Sequence, residues 1–171
     1  MKEEKIKAKT GHKEIISETI VKLELFKHGI NAYSRFLDMD RVDFVTRTKR
    51  GDKIIYNEIQ VKYSRLFDTK CLPHGWIVLY DKKLDTGKDN LFYVFVVGGE
   101  DLRDEDYLFV IPSKEVYKLK DLVRTTTTKK GEKQYVFDIW EYQKGKWGLR
   151  YKGTKEYKDL TKYLNAFDLL K

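Results

Sequence analysis

The sequence predicts an α/β fold in which a mixed β-sheet is flanked by helices. Two observations carry this prediction: apolar residues at helical spacing near the N-terminus, and a series of short segments rich in β-branched and aromatic residues after them. The helix is predicted over residues 12–28, and Gly29 follows it where a left-handed C-cap residue is expected. The apolar positions of the helix are Ile16, Ile20, Leu23 and Phe26.

The predicted strands are short and bounded by turn-forming residues. A KRGD sequence at residues 49–52 reads as a turn that joins the second and third strands into a hairpin. The seven strands are predicted at residues 30–36, 41–47, 54–63, 76–80, 91–97, 107–111 and 135–140.

The C-terminal third adds further strands and helices to this sheet. Ser113 is a plausible N-cap for a short helix through Leu119, and Thr154 is placed to cap a last helix. The apolar stripe of that last helix is Tyr157, Leu160, Leu164 and Phe167. The polar run at residues 124–133 indicates a loop or a boundary. We expect residues 1–171 to form a single domain, with a core at about residues 12–111 and an elaboration at about residues 112–171.

Composition favours an anionic partner. Thirty-five Lys and Arg residues against 27 Asp and Glu residues give a formal net charge of +8, which fits nucleic acid better than a membrane surface. The longest strongly apolar run, residues 91–97, is far shorter than the ~20 residues that span a bilayer. The lone Cys71 excludes an intrachain disulfide and is typical of a reducing, cytoplasmic compartment.

The segment NEIQVKY, residues 57–63, poses the main functional question. Side chains two apart on a strand lie on one face, so Glu58, Gln60 and Lys62 share a side. Taken by itself, the segment is more typical of a strand whose polar face meets water. The alternative is a reactive face, and it gains support from residues elsewhere in the sequence.

Asp43 and Glu18 are the two acidic residues in unexpected surroundings. Asp43 interrupts an apolar run and is poorly suited to a strand interior without a partner; it either begins a strand, ion-paired with Arg41, or approaches Gln60 and Lys62 through the hairpin. Glu18 shares a helical row with Val21 and Leu25, so we expect it to be partly buried. It either pairs with Lys22 or interacts with the helix N-terminus, or it faces a metal ion or Lys62.

These residues stand in an order that resembles the nuclease core of the PD-(D/E)XK superfamily, and particularly that of the archaeal Holliday junction resolvases. The matching runs are SETIVKLELFKHGINAYSR, RVDFV and YNEIQVKYSR, which together cover roughly residues 12–65. In that pattern a helix carries a Glu eleven residues before a Gly, one strand carries an Asp, and the next carries Glu-x-Lys. Glu18 stands eleven residues before Gly29, Asp43 lies in VDFV, and Gln60-Val61-Lys62 takes the place of Glu-x-Lys.

The resemblance implies a restriction-endonuclease-like fold and phosphodiester hydrolysis assisted by Mg²⁺ or Mn²⁺. It implies that Asp43, Gln60 and the backbone carbonyl of Val61 hold the ion, with Glu18 binding a second ion or ordering waters around the first. Lys62 would orient or help to deprotonate the attacking water and offset charge on the phosphorane. Symmetric cleavage of a junction would need two active sites, and hence a homodimer.

Gln60 departs from the family pattern, because it replaces the second acidic ligand. An amide oxygen can ligate a hard cation such as Mg²⁺ but adds no negative charge. Glu18 or Glu58 could supply that charge. Gln-x-Lys variants also occur among active nucleases of the superfamily, including some homing endonucleases encoded in introns.

Two basic clusters are candidate phosphate contacts, although charged turns are more often simply solvated. The first is the hairpin turn with Arg47, Lys49, Arg50 and Lys53. The second interleaves basic and aromatic residues, whose rings could stack on unpaired bases or pack internally. Its members are Lys144, Lys146, Trp147, Arg150, Tyr151 and Lys152.

The sequence therefore predicts a metal-dependent DNA endonuclease that acts on branched DNA such as Holliday junctions, with no membrane partner. Two alternatives stay open. One is a restriction or homing endonuclease that reads duplex sequence through the residues after position 65. The other is a nonenzymatic nucleic-acid-binding module in which Gln60 marks the loss of metal affinity.

Overall fold

The computed structural model describes residues 10–34, 42–67, 72–84, 88–98 and 106–171. Two sheets and two α-helices organise these residues, and we call the sheets central and outer. The helices are α1 (Thr10–Lys27) and α2 (Ser113–Leu119). The strands of the central sheet are β1 (Asn31–Ser34), β2 (Phe44–Arg50), β3 (Lys53–Arg65), β5 (Leu91–Gly98) and β6 (Asp106–Pro112). The strands of the outer sheet are β4 (His74–Tyr80), β7 (Arg124–Thr127), β8 (Lys133–Gln143), β9 (Lys146–Arg150) and β10 (Tyr157–Asp159).

The central sheet has the strand order β1-β2-β3-β5-β6 and is mixed, as the sequence predicted. Strands β3 and β5 are parallel, while every other neighbouring pair in this sheet is antiparallel. Strand β5 is buried along its whole length, as expected for an apolar strand with a parallel neighbour and both faces covered. The predicted hairpin is confirmed: β2 and β3 pair from Phe44 and Ile59 to Arg50 and Lys53.

Two apolar clusters cover the faces of the central sheet. On one face α1 packs Val21 and Leu25 against Ile59, Val61 and other residues of the sheet. The opposite face packs against the outer sheet, where the buried residues include Phe95, Phe109, Phe137, Ile139 and Trp147. The outer sheet has the order β10-β9-β8-β4, with β7 also on β8. Strand β4 lies within the predicted core range and pairs with β8 of the predicted elaboration, so the two ranges share one sheet.

The predicted last helix is wrong. After Thr154 the chain forms the short strand β10 on β9, followed by two separate 3₁₀ helices, Thr161–Tyr163 and Phe167–Leu170. Asn165, between them, has a φ of 52°, which no right-handed helix accommodates. Leu160 and Phe167 are nevertheless buried. Their spacing therefore reflects burial by tertiary packing rather than a helical face.

Two smaller predictions at the C-terminal side also need correction. The polar run at residues 124–133 is neither a plain loop nor a boundary, because β7 uses Arg124–Thr127 to pair with β8. Ser113 does not cap α2: the helix begins after Pro112 without a side-chain cap, and the Ser113 hydroxyl donates to the carbonyl of Lys88 (2.9 Å). In the part of the chain that the structure describes, no helix is long and apolar enough to cross a membrane.

Candidate functional site

Asp43 connects the start of β2 to β3 through two hydrogen bonds. It directly precedes β2, and its backbone N–H donates to the carbonyl of Ile59 (2.9 Å). Its carboxylate oxygen Oδ2 accepts a hydrogen bond from the N–H of Val61 at 2.6 Å. A carboxylate has about four lone-pair positions, so a group oriented by this bond can also ligate a cation. The structure thus places Asp43 at the start of a strand and also beside β3, where the functional alternative required it.

The polar face of β3 is buried at Gln60 and partly buried at its neighbours Glu58 and Lys62. Gln60 is only 6% exposed and Ser64 is buried, while Lys62 is partly buried. In register with this face, β5 presents Tyr93 beside Gln60 and Phe95 beside Lys62. Burying an amide and an amine beside aromatic residues costs free energy unless they are engaged. The water-facing alternative is therefore wrong for Gln60, and the reactive alternative gains weight.

Glu18 reaches this region from α1 and is partly buried, as expected from its row with Val21 and Leu25, both fully buried. Burial raises the pKa of Glu18 above its ordinary value, and the negative charge of Asp43 raises it further. Lys22 and Lys62 lower that pKa without cancelling the increase. The electrostatic influence of Asp43 and Lys62 on the pKa of Glu18 indicates that these three charges lie within electrostatic reach of one another.

Removing the charge of Glu18 is expected to stabilise the metal-free protein. Because the pKa of Glu18 is raised on folding, the folded state favours the protonated acid, and ionisation weakens the fold as the pH rises above the ordinary carboxylate pKa. We expect Glu18→Gln to melt at a higher temperature than the wild type at pH 7–8 in chelator, and at a similar temperature below about pH 4, where both forms are neutral.

Thermal melting followed by circular dichroism at several pH values measures this effect. Glu156→Gln is a matched control, because Glu156 is exposed and lies in a turn far along the chain. A lower melting temperature for Glu18→Gln at pH 7–8 would contradict the prediction, since it would mean that the carboxylate forms a net stabilising pair with Lys22 or Lys62.

The donors that could hold a metal ion here are all oxygen atoms. They are the carboxylates of Asp43 and Glu18, the amide oxygen of Gln60 and the carbonyl of Val61. Within the described ranges, no group of three or more His, Cys, Asp or Glu residues is placed to bind a metal. Hard oxygen donors suit Mg²⁺ and Mn²⁺ better than softer metals.

Glu58, the other residue considered as a source of negative charge, is already engaged. Its carboxylate pairs with Lys88 at 3.4 Å. Lys22, considered as a simple helical partner of Glu18, lowers the pKa of Glu18 through its charge. Its ammonium also donates to the hydroxyl of Ser34 (2.5 Å) and lies 4.9 Å from the ring centre of Phe44. Glu18 is therefore the better candidate for the missing charge.

The two basic clusters differ in the structure. Arg47, Lys49, Arg50 and Lys53 are all exposed around the β2–β3 turn. In the second cluster Trp147 is 1% exposed and packs on Tyr107, with ring centres 4.3 Å apart. Of the two alternatives left open for Trp147, internal packing is therefore correct and stacking on a base is wrong.

The sequence analysis missed Trp76. The WIVLY segment was interpreted only as a strand, but its alternation has a consequence: Ile77 and Leu79 are buried, whereas Trp76 and Val78 are each 40% exposed. A strand rich in apolar residues that alternates between buried and exposed positions presents an apolar surface to solvent. Because WIVLY is apolar throughout, the exposed side could be identified only from the structure.

Comparison with known proteins gives one informative structure. A bacterial homing endonuclease, I-Ssp6803I, has a similar structure with a TM-score of 0.51; the similarity covers 95% of this chain and 93% of the other, at 17% sequence identity. No protein-family model matches the chain, and no curated protein matches it significantly. The similarity extends through the outer sheet, beyond the part that the sequence motifs cover. The protein therefore has the fold of a nuclease.

Proposed function

We propose that this protein is a metal-dependent DNA endonuclease of the PD-(D/E)XK superfamily. The observation that carries the proposal is the hydrogen bond from the Val61 N–H to Asp43 (2.6 Å), which fixes the carboxylate beside Gln60 and Lys62. The fold shared with a homing endonuclease supports the same class of activity. Asp43 corresponds to the Asp of the superfamily pattern. Gln60 and Lys62 correspond to its Glu-x-Lys, with the Gln60 amide in place of the Glu carboxylate.

The residues have distinct roles in this proposal. Asp43, Gln60 and the Val61 carbonyl would hold Mg²⁺ or Mn²⁺, which polarises a phosphodiester and acidifies a bound water. Lys62 donates to the phosphate oxygens or to the attacking water, where its positive charge offsets the negative charge that develops in the transition state. Glu18 supplies the charge that Gln60 lacks, either to the same ion or to a second one.

The β2–β3 hairpin is the proposed contact with the DNA backbone. Its register places Arg50 directly opposite Lys53, and like charges in that relation destabilise a hairpin by up to about 1 kcal/mol. Both residues are exposed, so an anionic ligand can relieve this repulsion. DNA phosphates are the natural ligand for such a cluster on a chain with a net charge of +8.

Duplex DNA is the first candidate substrate. The similarity to a homing endonuclease covers the outer sheet as well as the central one. In an enzyme that reads duplex sequence over many base pairs, the outer sheet would supply DNA contacts beyond those of the central sheet. Branched DNA such as a Holliday junction is the second candidate, supported by the resemblance of residues 12–65 to junction resolvases. Cleavage of both strands in either substrate fits a homodimer.

Cleavage of a labelled four-way junction and of a random-sequence duplex library, with Mg²⁺, with Mn²⁺ and with chelator, tests the function. We expect metal-dependent products that chelator abolishes. Cuts confined to the junction identify a resolvase, whereas enrichment of one cut sequence from the library identifies a duplex-reading enzyme. Tight binding of DNA without cleavage in either metal would contradict the endonuclease proposal and favour the binding module.

A further inference from the structure

The exposed Trp76 on the outer sheet packs against other aromatic side chains. The Trp76 ring packs on Phe67, with ring centres 4.4 Å apart, and lies 5.7 Å from His74. His74 in turn stacks on Trp140 at 3.9 Å with the rings nearly parallel (6°), and its Nδ1 donates to the carbonyl of Leu72 (3.1 Å). We call Phe67, His74, Trp76 and Trp140 the aromatic platform. Because its rings support one another, little side-chain entropy remains to be lost when a ligand stacks on Trp76.

Cations flank the aromatic platform on both sides. The guanidinium of Arg65 lies 4.2 Å from the ring centre of Phe67, and that of Arg150 lies 5.7 Å from the ring of Trp140. A rigid aromatic surface between guanidinium groups combines the two features that bind single-stranded nucleic acid: a ring for the base and a charge for the phosphate. This complementarity favours a nucleotide over an apolar protein partner.

The aromatic platform is attached to the strand that carries the candidate active site. The backbone N–H of Trp76 donates to the hydroxyl of Ser64 (2.8 Å). Ser64 lies two residues beyond Lys62 on the same face of β3, a distance of roughly 7 Å along the strand. Gly75 makes this approach possible, because a Cβ there would lie 2.7 Å from Val97 and 2.9 Å from the Ser64 hydroxyl. The backbone of Trp76 therefore lies beside the C-terminal end of β3, next to the residue two positions beyond Lys62.

We infer that the aromatic platform stacks an unpaired base of the DNA strand whose phosphodiester occupies the active site. This inference rests on the proposed function and narrows its substrate to DNA in which a base near the cut is unstacked, by branching or by distortion on binding. Unstacking costs least where a base is already unpaired. The protein is therefore expected to prefer DNA with unpaired bases to the fully paired form.

Fluorescence anisotropy in chelator tests the inference without cleavage. The probes are a labelled duplex with a short single-stranded bulge and the fully paired duplex of the same sequence. The variants are Trp76→Ala, Trp76→Phe and, as a matched control, Val78→Ala, because Val78 is also 40% exposed on the same face. We expect Trp76→Ala to weaken binding of the bulged probe about tenfold or more, and binding of the paired probe by no more than about twofold. Trp76→Phe should retain most of the affinity and Val78→Ala all of it.

Several results would overturn the inference. Equal losses on both probes would do so, as would a loss in Val78→Ala as large as that in Trp76→Ala. Dissociation of a dimer in sedimentation velocity, with unchanged DNA affinity, would show that Trp76 contacts a second copy of the chain instead. If Trp76→Ala does not fold, Trp76→Leu decides the question: affinity equal to that of Trp76→Phe would exclude stacking.

Different results would overturn the endonuclease proposal and the inference about the aromatic platform. Metal-dependent cleavage by the wild type, together with unchanged binding by Trp76→Ala, would leave the endonuclease standing and overturn the platform alone. Preference for the bulged probe that is lost in Trp76→Ala, in a protein that cleaves nothing in Mg²⁺ or Mn²⁺, would support the platform and overturn the endonuclease.

Discussion

Replacement of Lys62 by methionine is expected to reduce metal-dependent DNA cleavage by about 100- to 1,000-fold, the usual cost of removing one group that stabilises transition-state charge. Methionine keeps the length and apolar stem of the side chain, so packing of the partly buried Lys62 against β5 changes little. DNA affinity should change by no more than about twofold, because binding draws on many phosphate contacts.

Single-turnover cleavage with protein in excess measures the chemical step and separates it from binding. Lys118→Met is the matched control, since Lys118 is exposed and pairs along α2 with Glu115, and it should cleave like the wild type. A Lys62→Met protein with wild-type cleavage would refute the proposed role of Lys62. Loss of DNA binding in proportion to cleavage would instead assign Lys62 to substrate binding.

Replacement of Gln60 by glutamate is expected to make the stability of the protein dependent on metal. Gln60 is 6% exposed, so the new carboxylate would be buried on the strand that the Asp43 carboxylate contacts. In chelator at pH 7–8, we expect a loss of about 2 kcal/mol, which corresponds to a fall in melting temperature of about 4–8 °C for a chain of this size. Mg²⁺ or Mn²⁺ should restore the stability, because the ion neutralises the cluster.

The same substitution is expected to tighten metal binding by about tenfold, since it adds a negative charge next to the ion. Isothermal titration calorimetry with Mn²⁺, and melting curves with and without metal, measure the two effects. Gln143→Glu serves as the control because Gln143 is exposed at the end of β8, and neither quantity should change there. If Gln60→Glu were destabilised to the same degree with and without metal, the ion would not be bound by residue 60.

The approach of Asp43 to the strand that carries Gln60 and Lys62 could be predicted from the sequence because the two strands are consecutive and joined by a short turn. The partial burial of Glu18 follows from its helical row with Val21 and Leu25. A hairpin with a two-residue turn brings Asp43 and Gln60 together. Such contacts depend on local periodicity and turn chemistry, which a sequence displays directly. The strands of the central sheet were predicted for the same reason, with errors of a few residues at their ends.

The last helix and the aromatic platform could not be predicted, because their environment is made by distant segments. The stripe of Leu160 and Phe167 has helical spacing, yet Tyr157–Asp159 forms hydrogen bonds with β9, and Asn165 interrupts the chain with a positive φ. Trp147 and Trp76 both lie in strands and differ in no local signal. One is buried against Tyr107 and the other is 40% exposed, because the central sheet covers only one face of the outer sheet.

The sequence by itself determined the order of helix and strands around Glu18, Asp43, Gln60 and Lys62, since spacing along one chain fixes which side chains share a face. Only the tertiary structure decided that Gln60 is buried and that the Asp43 carboxylate accepts a hydrogen bond from the Val61 N–H. It also decided that Trp76 stands beside Ser64 at the end of β3. Burial and long-range approach depend on how sheets pack, and that packing is the sum of many weak apolar contacts that no single segment encodes.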